Sequence, residues 1–171
     1  TGRLYYWPDG DILTQDLQVS MMETTLLTST GSNIHFDGIG FGMTRWQGVH
    51  QTSGDGFTFE NCEVFCPNSY AMLFFGTNSG ISNSVVRDLG YGGVRLAGGN
   101  RATLTSANNY AENCEMSNGG RWNMTYAPFL YIEGCGNRAL HNELHGNPHE
   151  CIDYRGNNHT IHYNDIYDTL N

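Results

Sequence analysis

"HNELHGNPHECIDYRGNNHTIHYNDIYD" (141–168) says nearly the same thing twice. "HNELHG" (141–146) returns 22 residues later as "YNDIYD" (163–168): an Asn, one residue, an aliphatic, then an aromatic or His. Gly and Asn fill the interval.

The phrase fits six times along the chain: "IHFDGIGF" (34–41), "FTFENCEVF" (57–65), "ISNSVVRD" (81–88), "AENCEMSN" (111–118), "ALHNELHG" (139–146) and "IHYNDIYD" (161–168). Centres at Asp37, Cys62, Ser84, Cys114, Asn142 and Asn164 are separated by 25, 22, 30, 28 and 22 residues. Three residues before them stand Ile34, Phe59, Ile81, Ala111, Ala139 and Ile161; two after stand Ile39, Val64, Val86, Met116, Leu144 and Ile166. All twelve flanks are apolar, so both columns are expected to be buried and stacked. A period of this length marks a solenoid. A further short strand precedes the later phrases: "YAMLFF" (70–75), "GGVRLA" (92–97), "FLYIE" (129–133) and "CIDY" (151–154), each followed by a Gly/Asn corner. The fold class that follows is all-β, a single-stranded right-handed parallel β-helix of about six turns, three strands and three corners to a turn. Turns stack about 4.8 Å apart, and the small polar centre residues form a ladder that satisfies the bent backbone.

Composition agrees. Apolar residues make 39% and charged residues 15%, and Gly is 22 of 171, which favours turns and strands over helices. One domain is expected over 1–171, with a lead-in segment and first turn over 1–32 and regular repeats over 33–171. Seventeen acidic and eight basic residues give a net charge of −9, which argues against a nucleic-acid partner, whose phosphates need clustered Lys and Arg. No apolar run reaches membrane-spanning length. Five cysteines lack zinc spacing and read as small buried residues. Cys62 and Cys114 lie two turns apart in one ladder, about 9.6 Å at strand spacing, too far for a disulfide. The triplets at Asn123 and Asn158 are N-glycosylation acceptors and lean toward an extracellular or cell-surface setting.

On these phrases the chain resembles the right-handed parallel β-helix proteins of the pectate-lyase-like superfamily. "GRLYYWPDGD" (2–11) before "SNIHFDGIGF" (32–41), and "GGRWNMTYAPFLYIEGCGNRALHNELHGNPHECI" (119–152), look like large extracellular members described as carbohydrate-active or of unknown activity. The resemblance implies that the chain is part of a longer β-helix. Open solenoid ends would invite self-association. It also implies activity on the outer face of the first strand of each turn and the loops flanking it, and a polysaccharide or glycan partner.

The loops placed there by the repeat include 117–128 and, one turn on, 145–150. They supply Arg121, Trp122, Tyr126, His145, His149 and Glu150, and the neighbouring strands supply Arg95, Glu133 and Asp153. Tyr126, His145, His149 and Asp153 are the catalytic candidates; Arg95, Arg121, Trp122, Glu133 and Glu150 are the substrate-binding ones. An aromatic platform, a cation and a proton carrier in adjacent turns suit a sugar cleft. Arg121, Tyr126, His145 and His149 are expected on one side of the coil with Asp153 close by. Each residue alone also reads as ordinary loop packing. One residue after the centres, Glu115, Glu143 and Asp165 fall on adjacent turns. That column suits a solvated face, a Ca²⁺ site made of hard oxygens, or a retaining pair of carboxylates. Two functions follow: a glycoside hydrolase or polysaccharide lyase, or a non-catalytic structural or adhesive module built by stacking. The resemblance favours the first. The scarcity of basic residues, a poor start for a basic cleft, favours the second.

Overall fold

The computed structural model of the protein describes residue 3 and residues 5–169. Residues 1, 2, 4, 170 and 171 of the expected single domain lie outside the described residues. Eighteen strands form three parallel six-stranded sheets. The first sheet holds β1 (Leu27–Ser29), β4 (Val49–Gln51), β7 (Met72–Phe74), β10 (Val94–Leu96), β13 (Leu130–Ile132) and β16 (Ile152–Tyr154). The second holds β2 (Ile34–Asp37), β5 (Phe57–Glu60), β8 (Gly80–Ser82), β11 (Tyr110–Glu112), β14 (Arg138–Leu140) and β17 (Thr160–His162). The third holds β3 (Gly40–Gly42), β6 (Glu63–Phe65), β9 (Val85–Arg87), β12 (Glu115–Ser117), β15 (Glu143–Asn147) and β18 (Asp165–Thr169). The chain is a parallel β-helix of six coils. Its one helical turn among the described residues is a 3₁₀ turn at Ile12–Thr14, and no helix there is long and apolar enough to cross a membrane.

A flat coil can close only if the chain bends three times; every corner has one left-handed residue in a common column, preceded at the first corner of four coils by a further positive-φ glycine, such as Gly54 or Gly134. At the first corner the column residues are Asn33, Gly56, Asn78, Asn108, Gly136 and Asn158. At the second they are Gly38, Asn61, Asn83, Asn113, His141 and Tyr163, and at the third Met43, Cys66, Asp88, Asn118, Gly146 and Asp168. Their φ angles lie between 49° and 70°, where most side chains meet the following carbonyl and only Gly, Asn and Asp are tolerated at small cost. Fourteen of the eighteen are of those three types, which is why the chain is rich in Gly and Asn.

From the second coil onward, the residue after the second-corner bend points inward and carries the expected ladder. Cys62 N–H donates to Ser84 Oγ at 2.9 Å, Cys114 N–H to Asn142 Oδ1 at 3.0 Å, and Asn142 N–H to Asn164 Oδ1 at 3.0 Å. A second ladder, which the sequence reading did not include, runs through the first corner. Phe57 N–H donates to Ser79 Oγ, Ser79 N–H to Asn109 Oδ1, Asn109 N–H to Asn137 Oδ1 and Asn137 N–H to His159 Nδ1, at 3.0 to 3.2 Å. Each rung satisfies an inward amide that has no other partner at a bend.

Between the ladders lies the core. Phe36, Phe41, Phe57, Phe59 and Phe74 pack in the first coils, with Phe36 and Phe59 stacked at 4.8 Å. Ile81, Val86, Leu96, Met116, Leu130, Ile132 and Leu144 continue it, all fully buried. The expected columns hold from the second coil onward, but the first phrase is displaced by two residues. Phe36 pairs with Phe59 and Phe41 with Val64, leaving Ile34 half-buried and Ile39 44% exposed. The true centre of that phrase is therefore Ile39, because Gly38 supplies the bend. At the other end Ile161 is half-buried and Ile166 is 46% exposed. All five cysteines are free, with Ser84 between Cys62 and Cys114 in the ladder. Burial pushes the Cys114 thiol up to about 12 and that of Cys151 to about 11.

Two replacements separate the bend from the rung. Asn109 is fully buried, with Nδ2 donating to Gly76 O at 2.9 Å. Asn109→Ala strands buried amide and carbonyl groups and should cost about 3 kcal/mol or more. Asn113 is a bend residue whose side chain lies outside, bonded to Asn83 at 2.8 Å. Asn113→Ala should cost about 1 kcal/mol, whereas Asn113→Gly should leave stability nearly unchanged. Urea unfolding of the three variants checks the order.

Candidate functional site

The outer face of the first sheet carries one column of side chains, in register, through His50, Leu73, Arg95, Tyr131 and Asp153. The third-corner loops climb onto this sheet and overhang the column. They contribute Tyr70, Tyr91 and, from the long loop 118–129, Tyr126. The result is a cleft of about 350 Å³ lined by Tyr70, Tyr91, Arg95, Tyr126, Tyr131, Glu150, Asp153 and Arg155. Tyr131 and Arg155 also line a second hollow of about 420 Å³, with Phe75, Arg101 and Glu133. The two together run across the face of the sheet. A third hollow, about 460 Å³, lies along the same loops and is lined by Arg45, Cys66, Asp88, Arg121 and Trp122 among others.

The cleft is held by interlocking rings and guanidiniums. The Arg95 guanidinium lies between the rings of Phe75 and Tyr131, 5.2 and 5.1 Å from their centroids, and its Nε donates to Glu133 Oε1 at 2.9 Å. Arg155 covers Tyr131 at 5.6 Å and stands 3.4 Å from Asp153. Tyr70 meets Tyr91 edge-on at 5.0 Å, and Tyr91 Oη donates to the carbonyl of Tyr126 at 2.8 Å. That bond braces an unusual residue. Tyr126 has φ of 54° outside the corner columns, its ring is 72% exposed, and it lies 5.2 Å from His149. A bulky residue held left-handed and exposed is strain of the kind that persists at ligand-contacting sites. Burial, then the neighbouring Tyr91, holds the Tyr70 phenol well above its ordinary range, so it stays a hydrogen-bond donor. Burial, then Arg95, lowers His50. The Glu150 side chain has no hydrogen-bond or ion-pair partner among the described residues.

The sequence-derived candidates divide among three places. Arg95, Tyr126, Glu150 and Asp153 line the cleft, with His149 against Tyr126 and Glu133 against Arg95. Arg121 and Trp122 line the third hollow instead, where Arg121 stands 3.9 Å from Asp88. His145 is on the outer face of the third sheet, stacked on Tyr167 at 4.8 Å. Loops 117–128 and 145–150 are indeed neighbours: Gly119 N–H donates to Gly146 O at 3.1 Å. The loop between them and the sheet nevertheless turns Arg121 and Tyr126 toward different hollows. Asn123 and Asn158 are both exposed.

Glu115, Glu143 and Asp165 do form one column in register on the third sheet. Glu115 and Glu143, and Glu63 near the start of the same column, are each met diagonally by a donor one coil further on. Arg87 Nε donates to Glu63 at 2.7 Å, His145 Nε2 stands 3.5 Å from Glu115, and Tyr167 Oη donates to Glu143 at 2.5 Å. No group of three or more His, Cys, Asp or Glu side chains among the described residues is placed to hold a metal ion.

Tyr70, Tyr91, Tyr131 and Arg155 were absent from the sequence-derived set. Tyr131 carried a signal, since it is the outward residue of its strand between Arg95 and Asp153, which were both chosen. No family model matches the chain, and neither a curated protein nor a solved structure is significantly similar to it.

The diagonal pairing is open to measurement. The hydrogen bond to Glu143, more than any other cause, raises Tyr167 to about 12. Because the raised value belongs to the folded state, this bond contributes below about pH 10, the ordinary tyrosine value, and its contribution is lost as pH climbs toward about 12. In Glu143→Gln the Tyr167 phenol should titrate nearer to 10, seen as phenolate absorbance appearing at lower pH than in the wild type.

Proposed function

We propose that the chain binds an acidic glycan across the outer face of the first sheet and the loops that overhang it. The observation that carries this reading is the placement of charge. Five of the eight basic residues, Arg45, Arg95, Arg101, Arg121 and Arg155, line the three hollows, against four of the seventeen acids, Asp88, Glu133, Glu150 and Asp153. Arg45 is paired with Glu23 at 2.6 Å, so the face is close to neutral on a chain of net charge −9. Eight arginines scattered over the whole surface would make no such face; the coil gathers them.

The chemistry suits a chain of sugar rings. Tyr126, 72% exposed, and Trp122, 80% exposed, offer flat surfaces to the apolar side of a pyranose. Arg155 and Arg121 have only loose carboxylate partners, at 3.4 and 3.9 Å, so a carboxylate or sulfate on the ligand can take a bidentate place beside them. Arg95 is already occupied by Glu133 and acts as the brace between two rings. A second reading, cleavage of the bound glycan, rests on Glu150: an unpaired carboxylate in a tyrosine-lined cleft is a ready proton carrier.

Tyr131→Ala and Arg155→Ala should each weaken binding of acidic oligosaccharides about tenfold or more, with the affinity falling as salt rises. Arg138→Ala removes an arginine on the opposite sheet, also over a tyrosine and paired with a glutamate, and should leave binding unchanged. Calorimetry with uronate and neutral oligosaccharides checks both. Equal affinity for the two ligands, or equal loss in all three variants, would sink the reading. Glu150→Gln should retain binding, and if the wild type cleaves the ligand it should abolish that cleavage.

A further inference from the structure

The rungs of the first-corner ladder are Ser79, Asn109, Asn137 and His159, and only the last can change its proton count near neutral pH. We propose that His159 is a pH-sensitive rung that tightens the Arg155 corner of the cleft at neutral pH and loosens it on acidification. The consequence for ligand binding rests on the glycan reading above; the switch itself does not.

His159 stands in for an asparagine atom by atom. Asn137 accepts from the Asn109 N–H through Oδ1 at 3.1 Å and donates Nδ2–H to the carbonyl of Glu133, four residues back, at 2.8 Å. His159 Nδ1 lies 3.2 Å from the Asn137 N–H, and Nε2 lies 3.0 Å from the carbonyl of Arg155, also four residues back. An amide N–H can only donate and a carbonyl can only accept. The imidazole must therefore be neutral, with its proton on Nε2 and a lone pair on Nδ1. An imidazolium has no lone pair. Protonation sets two N–H groups against each other, strands the Asn137 amide, and removes one tie of the corner 155–159, which backbone bonds such as Arg155 N–H to Ile132 O and Asn157 N–H to Gly134 O continue to hold to the coil beneath.

That corner carries part of the cleft. Arg155 follows β16, and its guanidinium covers Tyr131 and stands beside Asp153. The groups around the imidazole do not offset the charge it would gain. Arg155 directs its guanidinium away to Asp153, and Arg101 reaches only Asn157 Oδ1, at 3.1 Å. Glu133 engages Asn137 through its carbonyl, and its carboxylate is taken by Arg95. Cys135, opposite Asn157, is a buried thiol, and Tyr154 and His162 share a shallow hollow with His159. No carboxylate among the described residues forms an ion pair with His159.

The test compares the wild type with His159→Asn, which restores the rung used by the two coils below and cannot titrate. Amide exchange of Asn137, followed by NMR at pH 7.5 and pH 5 and corrected for intrinsic rates, spans the range in which imidazole ordinarily titrates. Protection in the wild type should fall about tenfold or more at pH 5, while His159→Asn stays protected at both. His159→Ala should be poorly protected at both. Constant protection in the wild type, or the same fall in His159→Asn, overturns the switch. Affinity for a uronic-acid hexasaccharide should follow the same contrast, lower at pH 5 for the wild type than for His159→Asn. Equal affinities at pH 5, with exchange switching as expected and binding intact at pH 7.5, overturn the coupling to the cleft and leave the glycan reading standing. Absence of binding at pH 7.5 in both proteins overturns the glycan reading, and the exchange result then decides the switch alone.

Discussion

Everything in this molecule depends on bending a strand without stranding its inward amides. Parallel coils satisfy the backbone along straight segments at no extra cost. At a corner the peptide planes rotate, and an inward N–H faces the core instead of a carbonyl. The chain answers with two adjacent residues: one in the left-handed region that makes the bend, and one whose short polar side chain meets the amide of the coil before it. "NS", "HN" and "YN" at the second corner are versions of this pair, Asn83–Ser84, His141–Asn142 and Tyr163–Asn164, while in Asn61–Cys62 the thiol donates instead to the carbonyl of Phe36 at 3.6 Å. The side chain must be short enough to stay within one coil spacing, about 4.8 Å, which selects Ser, Cys and Asn.

This constraint explains how much of the fold the sequence displays. The apolar columns were readable because strands alternate with period two and every coil repeats them. The same alternation caused the one misplacement. "IHFDGIGF" (34–41) offers apolar residues at 34, 36, 39 and 41, so two alignments bury a plausible set. The flanks alone cannot choose. The bend can: in the next three copies Asn precedes the centre, and Gly38 in the first phrase takes φ of 67°. Centring on Ile39 follows. The first-corner ladder was harder to see, because its rungs, Ser79, Asn109, Asn137 and His159, are of three residue types and are 30, 28 and 22 residues apart.

The site was legible in part and for a related reason. Strand residues inherit their direction from the register, so Arg95, Glu133 and Asp153 could be assigned to the outer face of the first sheet. Loop residues do not. The 28 residues between Cys114 and Asn142 include the long third-corner loop, and nothing in its sequence says that Arg121 and Tyr126 turn to different hollows. That division is set by contacts distant in sequence: Arg121 N–H donates to Leu89 O at 2.9 Å, while Tyr91 holds the Tyr126 carbonyl. His145 was misassigned to the loop for a simpler reason. β15 extends to Asn147, so His145 is still a strand residue facing away from the cleft.

The longest insertions show where the coil tolerates variation. The gap of 30 between Ser84 and Cys114 comes from a turn at the first corner, closed by antiparallel pairing of Asn100 with Thr105. The gap of 28 comes from the third-corner loop. Both excursions leave the flanks of the first sheet: the first puts Arg101 beside the second hollow, and the other puts Trp122 and Tyr126 beside the remaining two. The second corner, between the other two sheets, carries no insertion. Extra chain is therefore confined to the edges of one face, and the aromatic and cationic side chains it bears are gathered there.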